Sequence, residues 1–404
     1  MRRLLFLSRW FPYPPGNGSK LRIYNMLRRL SEQYAITLLS YADQPDVRPE
    51  VGPLLEICEA VHTVPYRPFD PGSRRALLGF LGPTPRSVSD TYSPEMEALI
   101  ITALAARPYD LVIASQIDMA VYHRAFGDVP AVFEEVEIGV LYEQAARASS
   151  LRARLRYGLT WSKYRRYLTR LLAQYALATV VSEKEKELVE RLRPVHTPVL
   201  VVPNGIEPDD YAGFRVEPKP ASLIFTGSLT FAPNHEAMRW FVGEVWPLVR
   251  AEIPEAELTI TGAPGERPLP PAEGVNLAGF VSDVRPLVAG SWASVAPIHA
   301  GGGTRLKILE AMALGTPVVA TSKGAEGLDV GDGEHLLLAD SPADFASATI
   351  RLLQSRELRA RLAANATARV HECYSWGRIM PHYMRVLEAV AARQIIPATT
   401  GASR

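Results

Sequence analysis

Cysteine is nearly absent: Cys58 and Cys373 are the two in 404 residues, far apart and without metal-ligand spacing. A disulfide framework or a cysteine metal site is excluded, and reduced thiols of a cytoplasmic protein are expected. No stretch reaches the roughly 18 uncharged apolar residues that a membrane-spanning helix needs. The opening MRRLLFLSRWFPYPP has a basic start, but its apolar core is only LLFL, so it reads as a first strand and not as a signal peptide. Neither sign of charge dominates: 44 basic and 43 acidic residues leave a net +1, which points away from nucleic acid and toward local patches. Asp209 and Asp210 are adjacent and do not form a spaced Asp-x-Asp pair; no metal and no other cofactor is expected, since helix-start amides with Arg305 and Lys307 can supply the positive charge an anionic ligand needs. One absence is local. Between Glu143 and Glu183 no acidic residue occurs, while eight Lys or Arg do.

What is present alternates. Short apolar runs (LLFLS, AITLLSY, AVHTVPY, DLVIAS, PAVFE, ALATVVS, PVLVVP) are separated by helical patterns, as in a parallel sheet covered on both faces. A second series follows in SLIFTGS, ELTITG, the short run at Val275, SVAPI and TPVVAT. Such a length exceeds one ordinary core, so two domains are expected, 1–203 and 204–375, with a last helix near 376–393 packing back onto the first. The fold class is α/β, two doubly wound parallel-sheet domains facing across a cleft. The segment 203–222 is rich in Pro, Gly and Asp and reads as the linker. Helices are expected from about Lys20, from Asn234 to about Arg250, and over 342–355, 356–371 and 383–393. The tail after Gln394 is expected to be disordered.

The most informative segment runs from Pro297 to Ala320, PIHAGGGTRLKILEAMALGTPVVA. Gly301, Gly302 and Gly303 lack a Cβ, so the backbone can take positive φ and approach a ligand closely. Thr304 is then expected to open a helix whose first N–H groups have no partner within the helix and suit an anion. Arg305 and Lys307 put two cations in that first turn, against the helix dipole, which is unfavourable unless something negative lies between them. A diphosphate reconciles them. Glu310 follows on the same helix and can accept both hydroxyls of a ribose, each charge-assisted bond worth about 1.5 to 3 kcal/mol. The alternative is a glycine turn feeding a solvated amphipathic helix.

The run GGGTRLKILEAMALGTPVVAT followed by GAEGL resembles the donor site of retaining GT-B glycosyltransferases of family GT4. FPYPPGNGSKLRIYNMLRRL, VVPNGIE, FTGSLTFAPNHEAMRWF and the late YSW resemble that group's landmarks, in the expected order. The resemblance implies transfer of a sugar from a nucleotide diphosphate to a hydroxyl acceptor with retention, in polysaccharide, cell-wall or glycolipid synthesis. It carries Gly227, Ser228, Asn234, Ser282, Asp283 and Leu306 to the donor side, together with the glycine cradle. It also puts the loop Gly16, Asn17, Gly18 and Ser19 on the wall facing phosphates and acceptor. Two departures stand out. Many members carry two Glu separated by seven residues; Glu310 matches the second, and Gly302 stands where the first, which touches the transferred sugar, would be. Many also carry an Arg after the glycine equivalent to Gly227 and a Lys soon after, where this chain has Ser228 and neutral residues. The cationic role then falls to Arg305 and Lys307.

Glu134, Glu135 and Glu137 crowd three carboxylates at one strand end, so at least one should find a cation or a shifted pKa. Glu135 or Glu137 could orient a sugar or acceptor hydroxyl, and a solvated loop is equally compatible. In the acid-free stretch, Arg152, Arg156, Lys163, Arg166 and Arg170 fall on one helical stripe opposite Tyr157, Trp161, Tyr164, Leu168, Leu171 and Tyr175. That stripe is either a solvated face or a contact with an anionic inner leaflet near a lipid-linked acceptor. Rival readings for the whole chain are a nucleotide-sugar 2-epimerase, which shares the GT-B fold, and a non-catalytic nucleotide-sugar-binding protein.

Overall fold

The computed structural model describes residues 1–43, 49–146, 150–192, 196–214, 216–265, 267–301 and 305–394. The chain divides into two compact units, Met1–Pro203 with Met380–Arg404, and Asn204–Ile379. Each unit has its own apolar core and its own sheet.

In the first unit, β1 (Arg2–Ser8), β2 (Tyr34–Ala42), β3 (Ala60–Pro65), β4 (Leu111–Ser115), β5 (Ala131–Glu134), β6 (Leu177–Val180) and β7 (Val199–Val201) lie in the order β3-β2-β1-β4-β5-β6-β7. All are parallel, with Phe6 opposite both Leu38 and Ile113. Leu4 to Leu7 are fully buried, which explains why β1 reads as an unbroken apolar run: helices cover both faces. In the second unit, β8 (Lys219–Phe225), β9 (Glu257–Thr261), β10 (Val275–Gly279), β11 (Ser291–Ala296), β12 (Val318–Ala320) and β13 (Leu337–Leu338) form a parallel sheet in the order β10-β9-β8-β11-β12-β13. Strand order reverses between β1 and β4 in one sheet and between β8 and β11 in the other. Loops leaving the carboxyl ends of those strands diverge there, and ligands of doubly wound sheets bind in the resulting crevice. Gly301 follows β11 and the Gly227 turn follows β8, so both stand at the second switch point.

Every strand expected from the apolar runs is present. β13 escapes the sequence reading because two residues carry no readable period. The segment 203–222 is not a free linker. Ile206 is fully buried and bridges in parallel to Ser375, Tyr211 is buried, and β8 begins at Lys219. Apolar anchors outweigh the Pro and Gly content there. The first helix starts at Gly18, capped by Asn17, whose side chain accepts from Lys20 N at 3.0 Å. The helix expected from Asn234 runs Ala232–Trp240, passes through a wide turn at Phe241–Val245 and resumes over Trp246–Glu252. The last helix spans Trp376–Ala391; to Ile379 it belongs to the second unit and from Met380 to the first. The tail after Gln394 lies outside the described residues.

The helix Leu151–Leu172 runs unbroken through Gly158, with Tyr164, Leu168 and Leu171 buried as the periodicity predicts. Lys163 departs from the expected stripe. Its ammonium donates to the Gly79 carbonyl, and burial lowers its pKa from the usual lysine value.

Candidate functional site

At the second switch point the chain turns at Gly227, where φ is +141°. A Cβ there would lie 2.7 Å from Asn234 Nδ2 and 3.1 Å from Lys307 Nζ, so only glycine fits. A chain of bonds follows from this close approach. Asn234 Nδ2 donates to the Ser228 carbonyl at 2.9 Å, and Lys307 Nζ donates to Asn234 Oδ1 at 3.0 Å. The same ammonium stands 4.0 Å from the centroid of the Phe225 ring, on the last residue of β8. Four sequence-predicted residues, Gly227, Ser228, Asn234 and Lys307, are thus brought together. Burial, and after it the charge of Arg305, pulls the Lys307 pKa down to about 7, while Glu310 pulls it up.

Arg305 occupies the N-cap position of the helix Leu306–Ala313. Its Nη2 donates to the carbonyls of Gly301 at 3.2 Å and Lys323 at 2.9 Å, tying Gly301 to the loop after β12. Gly301 has φ of +96°, a conformation that favours glycine. Gly302, Gly303 and Thr304 lie outside the described residues, so the expected opening of the helix at Thr304 does too. The Leu306 side chain is buried in the unit's interior, as its apolar character dictates, which leaves its backbone to meet a ligand.

Glu310 Oε1 accepts a hydrogen bond from Tyr211 Oη at 3.2 Å. Burial raises the Glu310 pKa, and the Tyr211 bond, Lys307 and Arg285 oppose that rise. Arg285 grips Asp283 with a fork, Nε to Oδ1 at 2.8 Å and Nη2 to Oδ2 at 2.9 Å, and donates from Nη1 to the Asp210 carbonyl at 2.7 Å. Asp283 is therefore held as a carboxylate by its bond to Arg285, below its ordinary pKa. Ser282 beside it is exposed. The sequence reading missed Tyr211 and Arg285. Tyr211 sits in the segment that reads as a linker, and no spacing marks either residue.

The first unit holds a second polar cluster, at the carboxyl ends of β4 and β5. Arg22 and Glu134 are both fully buried and paired: Arg22 Nε and Nη2 donate to Glu134 Oε1 at 2.8 and 2.7 Å, and Ser115 Oγ donates to Oε2 at 2.7 Å. Breaking such a pair from one side costs about 3 to 5 kcal/mol because a buried charge is left uncompensated. Glu135 has φ of +57° and Gln116, at the neighbouring strand end, has φ of +64°. Gln116 Nε2 donates to Glu135 Oε2 at 3.0 Å, and the Glu135 amide donates to Thr179 Oγ1 at 3.0 Å. Two non-glycine residues in the left-handed region cost about 1 to 3 kcal/mol each, and strain of this kind gathers at functional sites. Burial, with the Glu134 charge next, raises the Glu135 pKa to about 8, against the pull of Arg22. So the crowded carboxylates resolve in both expected ways: Glu134 takes the cation and Glu135 the shift. Glu137 is exposed. Arg22 leaves no signal in the sequence because it lies among the apolar positions of the first helix. In the loop before that helix, Gly16, Asn17 and Gly18 are exposed, Ser19 is half-buried, and the Asn17 side chain serves as the cap.

Two doubly wound parallel units, the second with a glycine turn, a lysine and a carboxylate at its switch point, define a GT-B type of protein. Two family models match the chain, "Glycosyl transferase 4-like domain" over residues 17–205 and "Glycosyl transferases group 1" over residues 220–355. The chain belongs to the group 1, or GT4, glycosyltransferases. It is 24% identical over 401 residues to an uncharacterized 44.6 kDa protein in the cps region of Klebsiella pneumoniae, covering 93% of this chain and 97% of that one. It is 33% identical over 217 residues to phosphatidyl-myo-inositol mannosyltransferase of Mycolicibacterium smegmatis, covering 50% of this chain and 55% of the relative. Among solved structures, Anabaena HepE in complex with UDP and glucose matches with a TM-score of 0.66 at 17% identity, over 96% of this chain and 100% of the other. Sucrose-phosphate synthase from Thermosynechococcus elongatus matches with a TM-score of 0.70 at 16% identity, over 98% and 100%. Neither the epimerase nor the non-catalytic reading is favoured by these likenesses.

Proposed function

We propose that this glycosyltransferase moves a sugar from a nucleoside diphosphate to a hydroxyl acceptor with retention, in the assembly of a polysaccharide, cell-wall or glycolipid product. The observation that carries the reading is the linked group Gly227, Asn234 and Lys307 at the switch point, with Arg305 and Glu310 on the same helix segment. Lys307 and Arg305 hold the diphosphate and stabilise the negative charge that builds on it as the sugar leaves, as oxyanion-hole donors do. No metal is needed in this scheme, because the two side chains supply the positive charge. Glu310 accepts the ribose hydroxyls. The departing phosphate takes the acceptor's proton on the same face of the sugar, so no dedicated base is required. Glu135, carrying a proton at neutral pH, donates a hydrogen bond to a hydroxyl of the donor sugar or the acceptor. Support comes from the mannosyltransferase likeness in half of the chain and from the likeness to a protein of a cps region.

Thermal shift with UDP, GDP, ADP, CMP and TDP sugars tests the reading. One of them at a hundred times its dissociation constant should stabilise the protein by about 2.7 kcal/mol. No stabilisation by any of the five would remove the nucleotide-sugar assignment.

A pH dependence follows from Lys307. Without ligand it is half charged near pH 7, and a bound diphosphate draws a proton onto it. Above pH 7 binding must therefore take up a proton, and nucleoside diphosphate affinity should fall about tenfold per pH unit, while below pH 7 this dependence disappears. Calorimetry in buffers of different ionisation enthalpy measures the proton uptake. The free nucleoside, which lacks the diphosphate, should show none.

The same proposal places the enzyme against the anionic inner face of a membrane, where a lipid-linked acceptor is reached. Arg152, Arg156, Arg166 and Arg170 are exposed on the helix Leu151–Leu172, and each basic residue near such a surface contributes about 1 kcal/mol. Among the described residues no helix is long and apolar enough to cross a membrane.

A further inference from the structure

The first unit shows an apolar surface that charge patterning did not reveal. Between the short helices Arg74–Leu78 and Arg86–Thr91 the chain makes a tight turn at Gly79, where an added Cβ would lie 3.1 Å from the Ala76 carbonyl. On that turn Leu77, Leu78, Phe80 and Leu81 are all exposed, Leu81 to 90%. They are held outward by a built scaffold. The fully buried Asp90 accepts from the Asp70 amide at 2.8 Å and from the Ser73 hydroxyl. Arg86 donates to the Ala76 carbonyl at 2.8 Å and lies 3.8 Å from the centroid of the Phe80 ring. Lys163 ties the Gly79 carbonyl to the helix Leu151–Leu172. One turn before Lys163 on that helix begins a second exposed row, Leu159, Leu155 and Leu151, spaced by four residues and therefore on one face. Leu151 is 74% and Leu159 71% exposed.

Exposed apolar side chains on two elements that the Lys163–Gly79 bond ties together mark an interaction site. The surrounding charge selects the partner. Residues 71–89 contain Arg74, Arg75 and Arg86 and no Asp or Glu, and residues 144–182 likewise contain no acid. Exposed apolar side chains on segments that carry cations and no carboxylate complement an anionic bilayer, with its acyl interior beneath acidic headgroups.

We propose that the Leu77–Leu81 turn and the Leu151, Leu155 and Leu159 row insert into an anionic bilayer as one wedge. This rests on the membrane reading above and adds an apolar component to it. Electrostatic attachment alone would vanish as salt rises. Insertion survives salt, because apolar burial is not screened.

Vesicle sedimentation separates the two. Wild type should pellet with phosphatidylglycerol vesicles at low salt, keep weaker but measurable binding at high salt, and bind phosphatidylcholine vesicles only at that weaker level, the apolar part alone. The triple variant Leu78→Ser, Phe80→Ser, Leu81→Ser changes exposed side chains and should fold normally. Its high-salt partition coefficient should drop by about 100-fold or more, with weaker but detectable low-salt binding. Replacing Arg152, Arg156, Arg166 and Arg170 by Gln should do the reverse, reducing low-salt binding most. If wild type ignores anionic vesicles at low salt, both the electrostatic reading and the wedge fall. If wild type pellets but the serine variant matches it at both salts, only the wedge falls. A wild-type dimer in size-exclusion chromatography that the serine variant abolishes, with vesicle binding unchanged, would assign the surface to a second copy instead. Nucleotide-sugar stabilisation, read in parallel, should be the same in all variants.

Discussion

Lys307→Met is expected to lower kcat/KM for the nucleotide-sugar donor by about 100- to 1000-fold, the range seen when one donor to a developing anion is removed. The loss should fall mainly on kcat, because the diphosphate carries most negative charge as the sugar departs. The fold should survive: the ammonium donates one bond, to Asn234 Oδ1, and faces the Phe225 ring, and Met puts a side chain of similar length in its place. The free nucleoside diphosphate should weaken along with the donor, and the nucleoside alone should not. Equal weakening of all three ligands would show that Lys307 only holds Asn234 and the Gly227 turn in shape. The pH dependence of diphosphate binding should vanish in the same variant. Its persistence would assign the proton uptake to another group.

Glu310→Ala is expected to cost about 2 to 4 kcal/mol in transition-state binding through the loss of two charge-assisted bonds to the ribose, or roughly 30- to 1000-fold in kcat/KM. Unchanged efficiency would remove Glu310 from the site. Tyr211→Phe serves as a comparison. It removes the 3.2 Å bond to Glu310 Oε1 and leaves the carboxylate in place, so the effect should be smaller and concentrated in the donor KM. Without that bond the Glu310 pKa rises, because the bond opposes the effect of burial. The acid side of the donor-binding profile should therefore move to higher pH in Tyr211→Phe. A KM unchanged at every pH would show that Tyr211 is only packing.

Much of the candidate site was legible because its residues lie close together in sequence. Arg305, Lys307 and Glu310 fall within six positions, and glycines just before them announce a backbone that must approach something closely. The strands were legible for a related reason: a parallel sheet covered on both faces demands unbroken apolar runs, and few other elements produce them at that length. What stayed hidden depended on distant partners. Tyr211 reaches Glu310 across 99 positions and Arg22 reaches Glu134 across 112. A buried pair of that kind leaves no periodic trace, since each member looks like a surface residue until its counterpart is found. A milder case lies at Phe241–Val245, where a wide turn interrupts a pattern that reads as one continuous helix from Asn234 onward.

By itself the sequence determined the α/β alternation, the parallel sheets and the family, because apolar period and short-range motif are written in consecutive residues. Tertiary structure alone decided which side chains share a site and which surface is left uncovered. Among three neighbouring carboxylates, packing chose Glu134 for Arg22 and left Glu135 strained, with its pKa raised by burial and the Glu134 charge. It took Lys163 out of the basic stripe and set it on Gly79, and it turned four apolar residues of that turn outward. The physical reason is common to these cases: desolvation and pairing depend on what folds against a residue, and that is a property of the assembled core.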